Sequence, residues 1–110
     1  MLFDPNTAVL EDFSASLPES FTLDQNFPNP FNSATTIRFA LPQSQEVELA
    51  VYNLTGQKVT TLAQGRREAG IYTLRWDGRD DDGAALASGL FLYRLQAGSQ
   101  VETRKLLLLR

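Results

Sequence analysis

From Phe21 onward, apolar and polar residues alternate in short runs. Residues 35–41 place Ile37, Phe39 and Leu41 on one side and Thr36 and Arg38 on the other. A period of two is that of a β-strand with one buried and one wet face. Pro42 ends the run, because proline lacks a ladder donor. Residues 46–54 repeat the pattern, with Val47, Leu49 and Val51 inward and Glu46 and Glu48 outward. Thr55-Gly56 signals a tight turn and residues 57–62 a return strand, so this stretch predicts a hairpin. Residues 71–76 set Tyr72, Leu74 and Trp76 on one face, and residues 90–97 set Phe91, Tyr93 and Leu95 against Leu92 and Arg94. Gly98-Ser99 is a two-residue hairpin turn, and residues 101–109 close the chain. A shorter run at 21–25 precedes them all.

Seven short strands at spacings of about 10 residues predict an all-β domain, a seven-stranded immunoglobulin-like β-sandwich. Short connections require antiparallel pairing, since parallel pairs need long crossovers. Residues 1–20 carry no sustained period and are broken by Pro5, Pro18 and several serines. They are expected to be a linker, with docking as an extra edge strand as the alternative. The domain proper is expected over 21–110.

Charge sharpens this division. The 110 residues carry a net charge of −3. Asp4, Glu11, Asp12, Glu19 and Asp24 fall in the first 24 positions, which contain no Lys or Arg. An acidic leader on a nearly balanced domain fits a solvated linker. No concentrated basic face indicates nucleic-acid binding. The longest apolar run, Leu106-Leu107-Leu108-Leu109, is far short of the roughly 20 residues of a membrane-spanning helix, so no membrane insertion is expected. Met1-Leu2-Phe3-Asp4-Pro5 lacks the basic and apolar regions of a signal peptide, so an export signal is expected upstream.

The chain has no Cys and no His. That excludes disulfides, thiol nucleophiles and Cys/His zinc sites. No serine sits in a Gly-x-Ser-x-Gly elbow, and no catalytic function is expected. Asp80-Asp81-Asp82-Gly83 offers oxygen ligands for calcium, with Asp80 and Asp82 the candidates, but lacks the alternate spacing and final Glu of an EF-hand loop. The simpler reading is a turn whose Asp side chains cap backbone amides, with no cofactor. Asn53-Leu54-Thr55 is a chance match to the glycosylation sequon. Gly89 is expected to enter its strand where a side chain would collide with a neighbour.

The most distinctive stretch is Gln25-Asn26-Phe27-Pro28-Asn29-Pro30-Phe31-Asn32. Two prolines fix φ and restrict the residues before them, predicting a stiff, polyproline-like elbow that aims Phe27 and Phe31. It reads either as a rigid corner plugging the sandwich or as a partner-recognition surface. Trp76-Asp77-Gly78 reads as a large core ring followed by a turn.

Taken in order, these motifs carry a resemblance. The elbow is followed by Thr35-Thr36-Ile37-Arg38-Phe39, Val51-Tyr52-Asn53 with Gly56-Gln57, Ala69-Gly70, Trp76-Asp77-Gly78, Asp82-Gly83, Ser88-Gly89-Leu90-Phe91-Leu92-Tyr93-Arg94-Leu95 and Thr103-Arg104-Lys105. Over residues 21–110 this resembles the type A C-terminal sorting domain of type IX secretion cargo, whose fold is shared with flagellar hook-capping proteins. The resemblance implies a module at the end of a larger secreted protein of Bacteroidota or relatives. It would direct the attached cargo from the periplasm across the outer membrane, to the cell surface or beyond. Implied partners are the outer-membrane secretion machinery, a sortase-like peptidase cutting before the domain, and the upstream cargo. In that family the signal lies in a Gly-x-Tyr-like segment and a Lys-containing last strand. These match Gly89, Leu90, Phe91 and Lys105, with Phe91 where Tyr is common. Arg104, Lys105 and Arg110 are expected to guard the last strand as an exposed edge. An unpaired last edge would also promote weak homodimers. The alternatives are a carbohydrate-binding or adhesive sandwich, disfavoured by inward-facing aromatics, and a spacer or assembly domain. The basic residue closing the sequence favours the sorting reading.

Overall fold

The structure is a computed structural model that describes residues 17–110. Seven strands follow in chain order: β1 (Thr22–Leu23), β2 (Thr35–Leu41), β3 (Gln45–Tyr52), β4 (Lys58–Arg67), β5 (Gly70–Trp76), β6 (Gly89–Ala97) and β7 (Gln100–Leu108). They form a three-stranded sheet, β1-β2-β5, and a four-stranded sheet, β4-β3-β6-β7, with every ladder antiparallel. This is the expected immunoglobulin-like arrangement. No helix occurs among the described residues. The linker expected over 1–20 lies outside the described residues up to position 16, and positions 17–20 contain no strand.

The alternation read from the sequence is the alternation that packs. Ile37, Phe39 and Leu41 of β2 meet Val47, Leu49 and Val51 of β3 and Tyr93 and Leu95 of β6 in one core. Burying such a side chain contributes about 1.5–3 kcal/mol relative to leaving it in water. On β7 the inward set is Leu106 and Leu108, both fully buried. Gly98-Ser99 forms the expected two-residue turn, with Ala97 paired to Gln100 and Gly98 at φ 60°.

β4 departs from expectation by running to Arg67 instead of Leu62. Its last five residues have almost no apolar pattern, yet β3 continues beside them to Gln45, and an antiparallel ladder propagates while its partner lasts. Two register shifts accompany this. Ala63 and Thr61 pair with consecutive β3 residues, as do Thr60 and Lys58, so Leu62 and Val59 are the extra residues. These bulges bend the strand, and both residues rest half-buried against the core.

Candidate recognition site

The motifs that are scattered along the chain meet at one end of the sandwich. Trp76, at the end of β5, lies between Phe31 of the elbow and Phe91 of β6, with ring centroids 5.7 and 5.9 Å away. Its indole N–H donates to the Arg79 carbonyl at 3.0 Å, which begins the polar turn. Offset aromatic pairs of this kind are worth about 0.5–1.5 kcal/mol beyond their buried area.

The elbow does more than plug a corner. Residues 23–31 run beside the outer edge of β7 and in the same direction, forming a strap. Leu109 N–H donates to the Phe31 carbonyl at 2.8 Å, and Phe31 N–H to that of Leu107 at 3.0 Å. Leu107 N–H donates to Asn29 Oδ1 at 2.9 Å, and Gln25 Nε2 to the Lys105 carbonyl at 2.8 Å. The Arg104 guanidinium donates to the Leu23 carbonyl. Each contact is worth about 1 kcal/mol, and the first four satisfy backbone groups that the outer strand would otherwise leave unpaired between Lys105 and Leu109.

A buried polar knot holds the strap. Tyr93 hydroxyl accepts from Asn26 N–H at 2.8 Å and donates to the Asp24 carbonyl at 2.7 Å. Burial pushes this phenol up to about 12, since the interior disfavours its anion. Asn26, itself buried, donates through Nδ2 to Thr35 Oγ1 and to the Pro28 carbonyl. The Phe27-Pro28 and Asn29-Pro30 bonds of the elbow are both cis. Phe31 is buried, as the corner-plug reading requires, while Phe27 is 78% exposed, its backbone paired with Thr36.

Three of the expected roles need correction. Arg110 is not an edge guard. Its guanidinium sits in a cage of carbonyls, donating to Leu86 at 2.6 Å and Gly78 at 2.7 Å, with Asp77 and Asn32 at 3.4 Å. Its backbone N–H donates to Ser88 Oγ. Arg104 is turned to the strap, leaving Lys105 as the outward basic residue of the three. Gly89 meets no obstruction, since a Cβ there would lie 3.9 Å or more from its neighbours. The glycine with no room is Gly78. Its φ is +74° and a Cβ would stand 2.6 Å from the Arg110 guanidinium.

Gly89, Leu90 and Phe91 pair in register with Leu108, Leu107 and Leu106. Phe91 and Leu106 point into the core, so Leu90, Leu92, Lys105 and Leu107 share the outer face of the β6–β7 ribbon. Tyr52 of β3 adjoins them and stacks under the Arg94 guanidinium, 5.0 Å from its ring centre. Tyr93, Asn26 and Thr35 were missed as a functional unit in the sequence. Their only trace there is a polar atom at an inward-facing position.

In the acidic turn, Asp80 Oδ1 accepts from the Asp82 and Ala84 amides, and Asp81 Oδ1 from Thr60 Oγ1 and the Thr61 amide. No three carboxylates converge to hold a metal ion among the described residues. Asn53 Oδ1 likewise ties its own turn, accepting from the Thr55 and Gln57 amides.

Two antiparallel sheets closed by a strapped terminal ribbon define an immunoglobulin-like module. Residues 28–100 match the FlgD Ig-like domain family, and the chain belongs to that family. Similar solved structures include dimeric latent PorU from Porphyromonas gingivalis, with a TM-score of 0.67, 20% identity and 84% of this chain covered. FlgD from P. aeruginosa gives a TM-score of 0.53 at 27% identity, covering 67% of this chain and 58% of that one. PorZ of P. gingivalis, described as an essential surface component of the type-IX secretion system, gives 0.55 at 20% identity over 88% of this chain. This chain spans only 10% of the PorU chain and 12% of the PorZ chain. No curated protein matches it significantly.

Proposed function

We propose that this chain is a non-catalytic sorting domain, carried by a larger exported protein and read by type IX secretion machinery at the outer membrane. The observation that carries the reading is the convergence of the elbow, Trp76-Asp77-Gly78, Gly89-Leu90-Phe91 and the last strand at one end of the sandwich. PorZ, a structural neighbour, belongs to that secretion system, and this supports the assignment. The strap also bears on mechanism. Because residues 23–31 occupy the edge of β7 from Arg104 to Leu109, a receptor would dock on the outer face at Leu90, Leu92, Lys105 and Leu107 rather than add a strand there. A sortase-like peptidase would act on the acidic segment before β1.

Fusing the chain to a periplasmic reporter in a host with type IX secretion tests this. The intact domain is expected to bring the reporter to the surface, and deletion of residues 100–110 to leave it in the periplasm. That deletion removes Leu106 and Leu108 from the core, so Leu90→Lys and Lys105→Glu provide folded surface variants with the same expected loss. Undiminished surface delivery by both variants contradicts the reading. A second reading is an assembly or spacer domain, favoured by the family match and by the likeness to FlgD. A reporter that stays periplasmic behind the intact, folded domain would favour it.

A further inference from the structure

The two sheets have four outer strands, and the fold treats them unequally. β1 is only two residues long. β7 is strapped. β4 carries two bulges, and its outer edge is tied where Asp81 N–H donates to the Val59 carbonyl. Brevity, cover and bulges are all devices that block edge-to-edge pairing. β5 has none of them. Its seven residues pair with β2 without a register shift and have no backbone partner on the other side among the described residues. Ile71-Tyr72-Thr73-Leu74 is a strongly strand-forming run with no charge in it, and Ile71 is 47% exposed.

We propose that β5 is a homodimerisation edge, pairing antiparallel with β5 of a second copy of this chain. Charge selects this occupant and this direction. The end of β4 and the turn that leads from it into β5 carry Arg66 and Arg67 against Glu68, a balance of +1. The end of β5 and the turn beyond carry Asp77, Asp80, Asp81 and Asp82 against Arg75 and Arg79, a balance of −2. Two copies related by a two-fold axis set the basic end of each beside the acidic end of the other, twice. A parallel pairing would oppose like ends. With Thr73 on the axis, Tyr72 of each strand stands opposite Leu74 of the other on the inner face, the kind of cross-strand contact that stabilises sheets, and Ile71 on the outer face stands opposite Arg75. A two-fold contact uses the same patch on both partners, so no second surface is required. The sandwich then continues as a six-stranded sheet, and the terminal ribbon remains accessible at the outside of the other sheet. The area is that of an edge alone, so the dimer is weak and transient.

Sedimentation velocity of the whole chain across a wide concentration series tests this, with Trp76 fluorescence confirming that each variant is folded. The wild type is expected to pass from monomer to dimer with rising concentration. Arg67→Glu and Asp77→Arg each place like charges across the contact and should weaken it about tenfold or more. Mixing the two variants restores both opposite-charge contacts, and a heterodimer is expected where neither variant dimerises alone. Ile71→Lys should abolish association in every combination. A chain that stays monomeric throughout, or a dimer indifferent to Ile71→Lys, overturns the proposal.

Discussion

β7 and β5 are both outer strands, but opposite rules govern them. β7 has a long neighbour on one side and a strap on the other, which partners the Lys105 carbonyl, both backbone groups of Leu107 and the Leu109 amide. Among the described residues β5 is bounded by β2 alone. An outer strand is prone to fraying unless its free edge is tied down. That of β7 is tied by residues about 80 positions away. What differs between the edges is therefore their use. Under the proposed function, β7 is held rigid so that its outer face can be read. β5 is left with unpaired groups that another chain can meet.

The largest effects should separate the two strands by burial. Leu106→Ala on β7 opens a cavity in the core and is expected to lower stability by about 3 kcal/mol, whereas Leu74→Ala on β5, half-buried, should lose about 1 kcal/mol. Chemical denaturation of the two variants measures the difference. Equal losses would mean that β7 is no better anchored than β5.

Next comes the knot under the strap. Tyr93→Phe removes the hydroxyl that serves Asn26 N–H and the Asp24 carbonyl, and should destabilise the domain by about 2 kcal/mol. The pH dependence has a definite sign. The phenol rises from an ordinary value of 10.0 to about 12 in the folded state. Its neutral form therefore stabilises the fold fully below pH 10, and this contribution is lost as pH rises through 12. Wild type should lose stability faster than Tyr93→Phe across that window. Parallel curves would show that the phenol is not held as described.

A smaller effect is expected at the carbonyl cage. Arg110→Ala and Gly78→Ala should each lower stability by about 1–2 kcal/mol, and the double variant by less than the sum, because the alanine methyl group and the guanidinium compete for one space. Additive losses would separate the two residues. Smallest of all, Ile71→Lys on the open edge should change monomer stability by less than about 0.5 kcal/mol. Millimolar calcium is expected to leave Tm unchanged, since no three carboxylates converge among the described residues.

The strands were legible because each is written locally. Ile37, Phe39 and Leu41 announce a face without reference to any other part of the chain. The strap was not, because its meaning lies in pairs such as Gln25 with Lys105 and Asn29 with Leu107, which no local pattern joins. For the same reason Arg110 read as a guard and Gly78 as an ordinary turn residue, when each explains the other. The end of β4 was invisible because Gln64, Gly65, Arg66 and Arg67 follow β3 rather than a pattern of their own. Homodimers were expected from the last strand. The structure closes most of that edge and leaves β5 open instead.

The claim that most of this depends on is that the strap holds the outer edge of β7 from the Lys105 carbonyl to the Leu109 amide. Site-resolved amide hydrogen exchange tests it directly, because Leu107 and Leu109 donate to Asn29 and Phe31 and not to β6. Both amides are expected to exchange as slowly as the core of β6, while the outward amides of β5 exchange rapidly in dilute monomer. Leu107 and Leu109 exchanging as fast as those of β5 would show that no strap holds the terminal strand.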